Sequence, residues 1–283
     1  MKMRNYKCTY NNSINDSSIP FSAAEVFSDA AAYKVAVEYR SQNDSFVFLP
    51  LTNTLEAELQ AALINEKSFI RVKNPVVPTV AELLPLKAFD YDVPHYKILT
   101  ECLQQPYDKP LAYEMSGLYS FLSLLTPIET VFRSFRKNSE LENEITSCVL
   151  ENYFSLIQRL KNTKIQMISL ADPVASLDII GGSALTKLIQ TFYVPLIRYI
   201  QAQMNCVLYL CPKLSYAMED LNILDAKTIE VKKIKTQDAI ISMLGSKSIL
   251  GNICINTNAK IDHVKIFSLH ESMTNETIPN EEI

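Results

Sequence analysis

"IQMISLAD" (165–172) and "CVLYLC" (206–211) are two short apolar runs that bracket the helical stretch "SALTKLIQTFYVPLIRYIQAQM" (183–204). Continuous apolar runs of this length, rich in Ile, Val and Leu, read as strands buried on both faces. A strand, a helix and a second strand in that order form the unit of a parallel sheet with a crossover helix. Pro195 falls inside the helical pattern and is predicted to kink or re-nucleate it, because its nitrogen has no hydrogen to donate.

The same alternation extends in both directions. Upstream, Ser22 and Glu25 form a capping box that opens a predicted helix over 22–42, followed by the apolar strand "SFVFLPL" (45–51). "LEAELQAALIN" (55–65) has helical spacing, and "SFIRV" (68–72) reads as a short strand before a Pro-rich connection. Strand "LAYEMS" (111–116) leads through Gly117 to the helical "LYSFLSLL", and Pro127 opens another helical segment. A long amphipathic helix is predicted over 140–162. Downstream, weaker strands are expected at 229–231, 249–253 and 264–269, with helical "TQDAIISMLG" (236–245) among them.

About seven such strands in one series favour an α/β fold of the TIM (β/α)8 barrel type, with a doubly wound open sheet as the alternative. Residues 1–18 are polar and read as a tail, and residues 19–283 as one barrel domain. The chain starts late and stops at Ile283 without a closing helix. The barrel is therefore expected to be incomplete at its N- and C-terminal ends, or covered by a neighbouring subunit in a homo-oligomer.

Composition excludes several function classes. A net charge of −4 with scattered basic residues argues against a nucleic-acid surface. The one basic cluster, "KTIEVKKIK" (227–235), reads as a solvated helix or strand edge. Five glycines and a single Gly pair leave no dinucleotide fingerprint and no Walker loop. No run of 18 apolar residues and no secretory leader are present, so a cytoplasmic protein that does not span a membrane is expected. Six widely spaced cysteines without a CxxC pair are expected to be reduced thiols.

In a barrel, chemistry gathers at the C-terminal ends of the strands. The polar residues expected there are Ser116, Asp172, Cys211, Asn252 and His270, with Tyr209 two residues before Cys211 and so on the same side of its strand. Each has a bland reading beside the functional one. An Asp after a strand is commonly a cap, and a single Cys is commonly a small buried hydrophobe.

"MISLADPVASLDIIGGSALTKLIQTFYVPLIRYI" (167–200), with "VFLPLTNTLEAELQAALI" (47–64), "GLYSFLSLLTPIETVFRSFRKN" (117–138) and "ILGNICIN" (249–256), resembles the uroporphyrinogen decarboxylase superfamily. The resemblance is nearest to its methylcobamide:coenzyme M methyltransferase branch. It implies a barrel in which zinc, held by a His-x-Cys and a later Cys, binds a small thiol substrate as thiolate. That thiolate would take a methyl group from a methylcorrinoid supplied by a partner corrinoid protein. Zinc coordination makes a thiol of pKa about 8.5 a nucleophile at neutral pH.

The chain departs from the pattern at the metal. The His-x-Cys position reads Tyr209-Leu210-Cys211, and the late Cys falls at about Ser272. The resemblance therefore assigns Cys211, His270 and Ser272 as metal positions, Asn252 and Ser116 to substrate, and Asp172 and Tyr209 to catalysis. The arginine-rich N-terminal segment of the decarboxylases is missing, which argues against porphyrinogen decarboxylation. Three readings remain: a corrinoid-dependent methyltransferase, a zinc-free barrel acting as a binding or regulatory module of such a system, and a non-metal enzyme using Asp172 and Tyr209 as acid and base.

Overall fold

The computed structural model describes residues 21, 23–52, 55–60, 79–83, 87–257 and 260–271. The predicted tail at 1–18, the cap at Ser22, the helical residues 61–65, the strand at 68–72 and Ser272 all lie outside the described residues.

Seven strands form one mixed sheet: β1 (Val47–Leu49), β2 (Leu111–Ser116), β3 (Ile165–Ala171), β4 (Val207–Leu210), β5 (Leu224–Lys235), β6 (Ile249–Leu250) and β7 (Lys260–Leu269). Their spatial order is β1-β2-β3-β4-β6-β7-β5. The pairs from β1 to β6 are all parallel, whereas β7 runs antiparallel to both β6 and β5. An all-parallel sheet was expected, and the β7 side departs from it.

Side chains alternate between two cores, as the period of two in a strand requires. Val47, Leu49, Tyr113, Ile168, Leu170, Leu208, Leu210 and Ile249 face an outer core shared with the helices. Phe46, Phe48, Ala112, Met167, Val207, Tyr209 and Leu250 face an inner core with Val264 of β7 and with Ala239 and Ile240 of the helix Thr236–Ile241. Five strand spacings would put β1 about 24 Å from β7 in a flat sheet. Here the Gln237 side chain donates to Asp44 Oδ1 and accepts from Ser45 N, so the helix after β5 touches the chain entering β1. The sheet is therefore curled into a barrel-like shape around that helix, although no ladder joins β1 to β5 among the described residues.

Local chemistry explains the boundaries. The expected single helix over 22–42 is two, Ala23–Val26 and Ala30–Arg40, because Asp29 turns extended and its carboxylate accepts from Ala32 N at 2.7 Å. The long helix Ser139–Leu160 opens on Asn138, whose side chain caps Glu140 N and Leu141 N. A helix over Pro94–Gln104, where the sequence reading placed no element, buries His95, Tyr96, Leu99, Cys102 and Leu103 at helical spacing. Around Pro195 the chain forms Gly182–Leu188, a π-turn over Ile189–Tyr193, and then Val194–Gln203. The wide turn absorbs the hydrogen bond that Pro195 cannot donate.

Candidate functional site

The inner-face residues at the C-terminal ends of β2, β3 and β4 are Glu114 and Ser116, Ser169 and Ala171, and Tyr209 and Cys211. Together they line a cavity of about 160 Å³ completed by Ser120, Pro212, Cys254 and Asn256. The strand order produces this directly. Each of these residues continues the alternation begun by Ala112, Met167 and Val207 in the inner core. Cys211 N donates to Leu170 O, and Gly117 N donates to Ala171 O, which ties the strand ends to one another. Gly251 follows β6 beside them with φ +150, and a Cβ there would meet Leu210 O at 2.3 Å, so only glycine fits.

The cavity wall is mostly apolar, with one charged residue. Glu114 is paired with Arg40, whose other nitrogen donates to Pro50 O and Leu51 O at 2.9 Å each. That fork holds the chain leaving β1 against β2.

Of the residues the sequence singled out, the structure brings Ser116, Tyr209 and Cys211 to the cavity. Asp172 stands just behind it. It is buried, and its carboxylate accepts from Tyr119 N, Ser120 N, Ala175 N, Ser120 Oγ (2.7 Å) and Tyr193 Oη (2.6 Å). Burial pushes its carboxyl above the usual range, and the bonds from Ser120 and Tyr193 act against that shift. Asp172 thus caps the helix Leu118–Leu125 and orients Ser120, which does line the cavity. A Cβ at Gly117 would lie 2.4 Å from that of Asp172, so the glycine is what allows the approach.

Asn252 lies beside the site, with its side chain accepting from Lys265 N at 3.1 Å. His270 is a correction. Because β7 is antiparallel, Phe267 pairs with Ile249 and Ile266 with Leu250, so the chain runs away from the cavity toward His270. His270 N donates to Ile223 O, at the start of β5. By the registers of β4, β6 and β7 it lies about 20 Å along the strands from Cys211, at about 3.3 Å per residue. The two cannot share an ion.

Sequence reasoning missed Glu114, Ser169 and Cys254. The first two were readable from the alternation along β2 and β3. Cys254 follows Asn252 in "ILGNICIN" and had no signal beyond its residue type.

It also missed Glu56, which is wholly buried on the helix Leu55–Gln60 behind the cavity wall. Its Oε1 takes a long bond from Ser116 N at 3.4 Å, while its Oε2 and the hydroxyls of Tyr113 and Tyr153 have no partner among the described residues. Burial foremost, with Glu58 and Glu114 adding repulsion, pushes its pKa up to about 8.

No family model matches the chain, and no curated protein matches it. Among solved structures the chain is similar to a methyltransferase from Methanosarcina mazei, with a TM-score of 0.52 and 17% identity. The match covers 73% of this chain and 64% of that one, so the chain spans less than two thirds of that protein's length. At that identity the likeness is one of fold alone, a mixed α/β architecture with a mostly parallel sheet.

Proposed function

We propose that the chain is a methyltransferase-like, barrel-like α/β protein that binds a small thiol in the cavity at its strand ends, as the binding module of a corrinoid-dependent methyl-transfer system. The observation that supports it is the position of Tyr209 and Cys211 on the cavity wall, where the resemblance assigns the His-x-Cys of an active zinc site. The methyl donor in such a system is a methylcorrinoid on a partner protein. This chain's own residues supply the apolar wall for the thiol's carbon atoms, and the hydroxyls of Ser116 and Ser120 to orient it.

The donor set does not fit zinc. Tetrahedral zinc at such a site needs three protein ligands and an exchangeable fourth. The cavity offers two thiols, Cys211 and Cys254, and among the described residues no group of three His, Cys, Asp or Glu could hold a metal ion. The second reading, methyl transfer through a zinc thiolate, is favoured by one observation, the second thiol contributed by Cys254.

Metal analysis of the purified protein separates the two. The wild type should carry well under one zinc per chain, and Tyr209→His, which adds an imidazole beside the two thiols, should gain zinc. Stoichiometric zinc in the wild type that disappears in Cys211→Ser would establish the enzyme reading instead. Calorimetric titration with small thiols should show binding that weakens when Ser116→Leu fills the cavity.

A further inference from the structure

Two of the five described cysteines share one cavity. Cys211 follows β4, and Cys254 lies just past the end of β6, the neighbouring strand. Tyr209 pairs with Leu250, and Cys211 and Cys254 lie two and four residues beyond that pair, both on the cavity wall. The other three described thiols differ. Cys102 donates to Ala30 O, and burial pushes both it and Cys206 up to about 11, while Cys148 lies on the long helix and is also raised. None of those three lines the cavity.

We propose that Cys211 and Cys254 form a dithiol site for a thiophilic organic ligand of the monosubstituted trivalent arsenical class. The donor count selects this class. A metal ion such as zinc asks for three or four protein donors; the cavity has the two thiols and the Glu114 carboxylate, which Arg40 holds, and no group of three His, Cys, Asp or Glu among the described residues could hold a metal ion. An arsenic(III) centre with one carbon substituent has two remaining positions, and two thiols fill both. The organic group then lies against Met115, Ala171, Pro173 and Ile255, the apolar part of the wall. The step balances without a redox partner. For an arsenoso compound, R–As=O, the arsenic–oxygen bond breaks and two arsenic–sulfur bonds form. Both thiol protons leave with the oxygen as water, and arsenic stays trivalent. The inference rests on the two thiols alone and needs neither the methyl-transfer reading nor a corrinoid partner.

The probe is phenylarsine oxide, added to the full chain in the presence of excess glutathione. Intact mass should show one phenylarsenic group gained with two hydrogens lost, retained against the monothiol and removed by 2,3-dimercaptopropanol. Cys211→Ser and Cys254→Ser should each reduce retention at least tenfold, and Cys148→Ser should leave it unchanged. If either site variant folds poorly, peptide mapping of the wild-type adduct decides, and arsenic should link the peptides that contain residues 211 and 254. Absence of a retained adduct, or an adduct mapping to Cys102, Cys148 or Cys206, would overturn the proposal.

Discussion

The two wings of the sheet are built under opposite constraints. From β1 to β4 the strands are parallel and almost every residue is buried, since helices cover the outer face and the inner core fills the curl. The ribbon of β5 and β7 is antiparallel, and β5 exposes Asp225–Thr228, Glu230, Lys232, Lys233 and Lys235. On the buried wing a polar group must find partners or shift its pKa; on the ribbon water supplies them. The candidate site belongs wholly to the buried wing and its β6 neighbour. Substitutions there should be costly, and equivalent ones on the ribbon should be nearly silent.

The largest effect should come from Asp172. Removing its carboxylate strands Tyr193 Oη, Ser120 Oγ and the amides of Tyr119 and Ser120 in a buried place, while Ala175 N keeps its bond to Asp172 O. Asp172→Ala should lower unfolding free energy by about 3–5 kcal/mol in urea denaturation, and Asp172→Asn, which keeps an acceptor, by less. A loss below about 1 kcal/mol would mean that the buried wing does not depend on this cap.

Glu56 sharpens the contrast, because it is as buried as Asp172 and far less satisfied. Its folded pKa of about 8 lies above its ordinary 4.5, so between those values the folded chain binds more protons than the unfolded one. Stability from this group is therefore complete below pH 4.5, falls as pH rises toward 8, and levels off above. Glu56→Gln should flatten most of that slope and exceed the wild type at pH 8.5 by on the order of 3 kcal/mol. The slope that remains belongs in part to Asp172, whose pKa is also raised. Parallel stability–pH curves for wild type and Glu56→Gln would show that Glu56 stays ionised.

The same contrast explains what could be read from the sequence. β3 and β4 were legible because burial on both faces leaves uninterrupted apolar runs, and the π-turn before Pro195 was legible as a disturbance because proline lacks a donor. The direction of β7 was not read, although the chain held the clue. Only the short segment from 251 to 259 separates Leu250 from Lys260, and a parallel return needs a crossover of a dozen residues or more. Taking β7 as parallel placed His270 beside Cys211, and the antiparallel return takes it to the other end. β5 was read only at 229–231 because its lysines mask the strand pattern. Glu56 was passed over because helical spacing alone makes a Glu look solvated.

A middle-sized effect is expected where the ribbon meets the body. Lys265 pairs with Glu219 at 2.7 Å, both side chains about four-fifths covered, and its ammonium lies 5.3 Å from the Tyr216 ring. Lys265→Met should cost about 1 kcal/mol, read as a lower thermal midpoint, and the loss should shrink in high salt because partly screened charges supply it. A loss that does not change with salt would point to packing of the lysine stem instead.

The smallest effect on stability should come from the outer edge. Lys232 and Lys233 lie in the irregular stretch of β5 between Glu230 and Ile234, exposed, on a strand that pairs only with β7 among the described residues. Replacing exposed lysines there should move unfolding free energy by about 0.5 kcal/mol or less. Their physical work is at the edge itself. An unpaired row of amides and carbonyls invites another strand, and charge together with a break in register discourages it. Lys232→Val combined with Lys233→Val should leave the denaturation midpoint of dilute protein nearly unchanged, yet add a concentration-dependent larger species in light scattering. A variant that stays as dispersed as the wild type at high concentration would show that the bulge alone, without the lysines, keeps this edge closed to other chains.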